Sequence, residues 1–208
     1  MKPALKPKTP FLALPRAVPM AVSMTVCGLF ALAAAMPALA HANKPGVHQH
    51  GVAKLAVALD GEQLEITLES PLDNLLGFER APRNDRERQA VRTMAQRFHS
   101  GEVFKPTAAA QCTVTAAEMS SDVLDPALLA ATGTAAAAAA PAAAKADGHA
   151  DLDASLRYRC ANPAALKGLD AGPLFQAFPK FRQIDAAVAT GSAQRGAKLT
   201  RQQTSLSW

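Results

Sequence analysis

Five histidines supply the side chains best suited to hold a metal ion, and His48-Gln49-His50 is the sharpest grouping among them. On an extended backbone, residues i and i+2 share a face about 7 Å apart, within reach of one zinc ion. Two neutral imidazoles joined by a carboxylate suit Zn2+, with Cu2+ or Ni2+ as competitors. His41 offers a different chemistry: as a processed N-terminal residue, its amine and imidazole would form a two-toothed copper chelate, the starting point of a copper-dependent oxidative enzyme. His149 lies beside Asp147, Asp151 and Asp153, a looser donor set in what reads more readily as a solubilising loop. His99 ends an arginine-rich helical segment, where a cationic imidazole complements the helix dipole. The competing account of the His-x-His pair is a solvated, frayed terminus that binds nothing in particular. No Gly-x-Ser-x-Gly, His-Glu-x-x-His, phosphate loop or Gly-x-Gly-x-x-Gly is present, so binding and not catalysis is expected.

The chain opens on Lys2, Lys6, Lys8 and Arg16, followed by an apolar run over 20–35, the breaker Met36-Pro37 and the small residues Ala38-Leu39-Ala40. That order is the order of a secretory signal peptide over 1–40, and the apolar run is short for a permanent membrane anchor. Cleavage falls after Ala40 or, one small-x-small site later, after Ala42; only the first leaves the His41 chelate intact. With the leader removed, 18 of the 22 Lys and Arg remain against 17 Asp and Glu, a net charge of +1 in place of +5. The basic balance therefore describes export and gives no support to nucleic-acid binding. Arg80, Arg83, Arg86, Arg88, Arg92 and Arg97 are interleaved with Glu79, Asp85 and Glu87, the pattern of a salt-bridged helical face. Cys27 leaves with the leader, and the two cysteines that remain, Cys112 and Cys160, are expected to pair in an oxidising compartment.

The elements that must position these residues follow from periodicity. Two alternating runs over 52–59 and 63–69 flank Asp60-Gly61, a hairpin signal. A two-residue Asp60-Gly61 turn sets Leu59 opposite Glu62, Val57 opposite Leu64, Leu55 opposite Ile66 and Ala53 opposite Leu68, which gathers the apolar side chains on one face. Lys54 and Glu69 then share the other face, where Glu69 becomes the carboxylate for the histidine pair. Ser70-Pro71 opens a short helix stopped by Gly77, and Asn84 or Asp85 caps a second helix whose Val91, Met94, Ala95 and Phe98 form a core stripe. Strand-like runs surround Cys112 and precede Cys160, with Ala154, Leu156, Tyr158 and Cys160 on one side. Alanine dominates the stretch between them. The short helix at Pro173 is followed by closing strands over 181–190 and 196–208. The resulting expectation is a single α+β domain over 41–208, with a mainly antiparallel sheet, short packed helices and a disordered, alanine-rich insertion at about 126–150 whose ends the disulfide ties together.

The chain also resembles a known family. His48-Gln49-His50-Gly51-Val52-Ala53, Leu64-Glu65-Ile66, Glu69-Ser70-Pro71, Asn74-Leu75-Leu76-Gly77-Phe78-Glu79 and Ala81-Pro82-Arg83 look like the zinc-regulated periplasmic proteins of the ZrgA type, a Gram-negative family. Tyr158-Arg159-Cys160-Ala161-Asn162-Pro163, Phe175-Gln176-Ala177-Phe178-Pro179 and Leu206-Ser207-Trp208 agree with it. The resemblance implies Zn2+ binding in the periplasm in support of zinc acquisition or buffering, without catalysis, and a zinc-uptake partner in the periplasm or inner membrane. It carries His48 and His50 over as ligands, with Glu79 as a further matching position. Two departures bear on capacity: alanine stands where the family carries a histidine- and aspartate-rich tract, leaving His149, and Arg80 stands where a histidine is usual. A chain that has lost metal handling and serves as a periplasmic interaction module is the rival expectation.

Overall fold

The structure, a computed structural model, describes residues 49–131, 150–191 and 194–208. The proposed leader, His41, His48, His149 and most of the alanine-rich stretch lie outside the described residues. The chain order is β1 (Val52–Asp60), β2 (Gln63–Pro71), α1 (Leu72–Leu76), α2 (Asp85–His99), β3 (Lys105–Pro106), β4 (Cys112–Ser120), α3 (Pro126–Leu129), β5 (Asp151–Cys160), β6 (Gly168–Asp170), α4 (Gly172–Ala177), β7 (Gln183–Thr190), β8 (Gln194–Thr200) and β9 (Ser205–Ser207). Six strands form one sheet in the order β4-β5-β2-β1-β7-β8, and β3, β6 and β9 form a smaller one. Every pairing is antiparallel except that of β1 with β7, so the α+β class with a mainly antiparallel sheet stands.

One face of the large sheet is apolar because each long strand alternates. Leu55, Val57, Leu64, Ile66, Leu68, Leu152, Leu156, Ile184, Val188 and Leu199 are buried there, together with the α2 stripe of Val91, Met94, Ala95 and Phe98. The opposite face is held by cross-strand charge. A ladder of directly paired residues runs Asp153, Glu69, Lys54, Asp185, Lys198 across five strands. Lys54 Nζ lies 2.8 Å from Glu69 and Lys198 Nζ 3.0 Å from Asp185.

Several expectations shift. The hairpin turn is Gly61-Glu62, with Asp60 paired to Gln63, Leu59 to Leu64, Val57 to Ile66 and Leu55 to Leu68. Positive φ at Gly61 (56°) alone fits the first central position of a type II′ turn. The slip is two residues, and because side chains alternate with period two, the apolar face survives it. Pro71, and not Ser70, precedes α1; Ser70 ends buried within β2. The first part of the alanine-rich stretch is packed: Asp125 caps α3, and Leu128 and Leu129 are buried. Those two leucines supply the long apolar side chains that the alanines after them lack. The 196–208 segment breaks at a Thr200–Gln203 turn, so its end joins the second sheet. Cys112 and Cys160 are bonded, as expected, but they are direct partners across β4 and β5. The chain leaves and re-enters this strand pair at the other end, where Ser120 pairs with Asp153, about eight residues or roughly 27 Å of strand away. The disulfide therefore clasps the far end of the strand pair and does not tie the ends of the insertion.

Candidate functional site

His50 does not lie on a strand. Val52 N–H donates to the Gln49 carbonyl at 3.0 Å, making Gln49-His50-Gly51-Val52 a turn, and Gly51 takes φ 86° at its third position, as a type II turn requires. A side chain at Gly51 would be strained at this φ, and an added Cβ would sit 2.2 Å from Arg182 Nε, so the arginine would have to shift from its place over the turn. His50 is thus the second residue of a turn, and β1 begins only at Val52.

Two structural partners hold this turn. From β7's side, Arg182 N and Gln183 N donate to the Gly51 carbonyl at 2.8 and 3.0 Å, and Arg182 Nη2 donates to the His50 carbonyl. From α1, Asn74 Oδ1 accepts from Gly51 N at 2.6 Å, while Asn74 Nδ2 donates to the Val52 carbonyl at 3.0 Å and to Ser70 Oγ at 3.1 Å. Gly77 ends α1 in the left-handed region, its N–H bonded to Asp73 O, and the chain turns into Phe78-Glu79. There Glu79 Oε1 lies 3.1 Å from His50 Nε2. The Glu79 side chain is 9% exposed and that of His50 is 53% exposed.

The segment after Glu79 is fastened in turn. Arg80 stacks over Phe78 with 4.9 Å between guanidinium carbon and ring centroid, and it grips both oxygens of Glu87 at 2.7 and 3.0 Å. Arg83 N donates to Glu87 Oε2 at 2.7 Å, and Asn84 Oδ1 caps α2 by accepting from Glu87 N at 2.9 Å. The arginine's hydrogen bonds come first, and the Arg83 amide second, in holding the Glu87 carboxyl down to about 2. Arg80 is therefore engaged in anchoring the loop that presents Glu79.

Of the other sequence-derived candidates, Glu69 is bonded to Lys54 on the open sheet face, and the carboxylate that meets His50 is Glu79. The expectation of Glu69 as partner carboxylate rested on an extended His-x-His backbone, of which His48 lies outside the described residues. His99 Nε2 contacts the Leu129 carbonyl at 2.7 Å, so it joins α2 to α3 as well as ending its helix. Among the described residues, no group of three or more His, Cys, Asp or Glu is gathered closely enough to hold a metal ion. Asn74 entered the sequence reading only within a family motif and Arg182 not at all; the signal for the first was an amide among the leucines of Leu72 to Leu76.

A family profile described as "ZrgA family zinc uptake protein" matches residues 47–208. The chain belongs to the ZrgA family. A comparison with curated proteins finds no match. The ZrgA match begins one residue before His48 and takes in every element of the fold, so the His50–Glu79 contact and the residues that build it all lie inside the family region. Membership in ZrgA links the chain to zinc uptake. No helix among the described residues is long and apolar enough to cross a membrane.

Proposed function

We propose that this ZrgA-family chain is a non-catalytic periplasmic zinc-binding accessory protein supporting zinc acquisition or buffering, in which His50 and Glu79 are the fixed donors and His48 supplies a further imidazole. One observation carries the proposal: an imidazole nitrogen and a carboxylate oxygen from two different elements are already 3.1 Å apart. Zinc bonds to nitrogen and oxygen of about 2.0–2.1 Å, at a tetrahedral angle, set neighbouring donors about 3.3 Å apart. The separation of the two donors is thus close to the one a shared ion requires, and binding would turn both lone pairs from each other toward the ion. Glu79 is the withdrawn anchor and His50 the open side through which an ion enters, with water completing the shell. Few protein donors and an open face favour exchange over permanent retention, which suits a protein of zinc uptake.

The leader over 1–40 and the cysteine pair support export to the periplasm, and a zinc-uptake protein there or in the inner membrane is the corresponding partner. Alanine in place of a histidine-rich tract points to reduced capacity. Calorimetric titration of the leaderless protein with Zn2+ tests the reading: the parent is expected to bind, and His48→Ala combined with His50→Ala to lose that binding. A parent that takes up no zinc, or a double variant that binds as the parent does, overturns it and favours the interaction-module alternative.

A further inference from the structure

We infer that Asn74, which offers no donor to the ion, is the positioning residue that sets the distance between His50 and Glu79; the inference rests on the zinc-binding reading above. Asn74 is 1% exposed, and with Ser70 it makes up the buried polar side chains among the described residues. An amide in an apolar layer is costly unless its hydrogen bonds are made, and a leucine would suit a helix flanked by Leu72, Leu75 and Leu76 if packing were the only demand. Asn74 makes three bonds, spending its carbonyl oxygen on Gly51 N and its amide nitrogen on Val52 O and Ser70 Oγ. Two of these reach the residues immediately after His50.

The same residue belongs to the short helix that Gly77 closes just before Glu79. One buried side chain thus joins the turn carrying the imidazole to the helix leading to the carboxylate. Without it, the two donors would be related through the sheet, the loop and, more remotely, the Lys180–Asp73 ion pair that joins the segment before Arg182 to α1. Arg182 and Gln183 bind the other side of the turn through Gly51 O, so β1 keeps its backbone attachment to β7 when the amide is removed. A folded protein with a loosened pair of donors is the expected result.

Asn74→Ala, made in the leaderless full-length protein, is expected to weaken Zn2+ binding by about tenfold or more, the range seen when a residue supporting a metal ligand is lost. Val188→Ala, a core truncation in β7 outside this network, serves as a control for general destabilisation: it is expected to lower Tm with zinc affinity kept within about twofold. In the metal-free protein, the His50 ring resonances should also move toward those of an unconstrained histidine in Asn74→Ala and stay in place in Val188→Ala. Should Asn74→Ala fail to fold, Ser70→Ala removes one anchor of the amide and is expected to weaken binding severalfold. A parent that binds zinc beside an Asn74→Ala or Ser70→Ala variant that binds equally well overturns this inference alone, as does a Val188→Ala loss equal to that of Asn74→Ala. A parent that binds no zinc removes the proposed function and this inference with it.

Discussion

At Glu79 a carboxylate almost withdrawn from water meets an imidazole that is half in it. A contact with one exposed partner contributes on the order of 0–1 kcal/mol to folding, so the pair does little to hold the fold together. For a bound ion the balance is different, because a carboxylate supplies charge that an amide of the same shape does not. Glu79→Gln is therefore expected to leave Tm nearly unchanged while lowering Zn2+ affinity about tenfold or more. Calorimetry beside thermal unfolding checks both halves, and an unchanged affinity would remove Glu79 from the site. Protons and metal compete for imidazole nitrogen, so binding in the parent should also weaken on acidification. His50 was legible in the sequence from its motif, and Glu79 only from the family resemblance. Periodicity pointed to Glu69 through an extended backbone at His48-Gln49-His50, and it gave no weight to the turn that Gly51 allows.

Among the elements, α2 shows how a capped helix can anchor a loop. Glu87 accepts from the Asn84-capped first turn's neighbour Arg83 and from both amino groups of Arg80, and these partners depress its carboxyl from an ordinary 4.5 to about 2. A carboxyl depressed by folding stabilises the native state above its unfolded value and loses that contribution as pH falls through the folded one. Parent protein should therefore be more stable than Glu87→Gln near neutrality. The difference should shrink below about pH 4.5 and vanish below about pH 2, as followed by circular dichroism melts across that range. A difference that stays constant down to pH 2 would contradict the ion-pair account.

The helix itself was plain in the sequence, since Asn84 and the Val91, Met94, Ala95, Phe98 stripe are local signals. Strand register was less so: Asp60-Gly61 and Gly61-Glu62 both close a two-residue turn, and both keep the apolar faces together. The switch of sheets after Thr200 had no glycine or proline to announce it, and the burial of α3 depended on partners distant in sequence.

Across the whole molecule, the disulfide and the donor pair occupy different parts of the chain. The 48-residue separation between Cys112 and Cys160 encloses β4, α3 and β5, whereas His50, Asn74 and Glu79 all precede it. In the chain-entropy account, closing a loop of that size contributes about 4 kcal/mol, a large share of the 5–15 kcal/mol typical of a domain. The bond also fixes β4, an edge strand, to its only neighbour in the large sheet. Replacing both cysteines by alanine is thus expected to lower unfolding stability by about 2–4 kcal/mol in urea titrations. Zinc affinity, measured at a temperature where both forms are folded, should stay within about twofold, since loss of stability reaches binding only through the unfolded fraction. A large fall in affinity in the fully folded variant would mean that β4 and β5 hold the donors in place through β2, and that the site extends across the sheet beyond the β1 turn and α1.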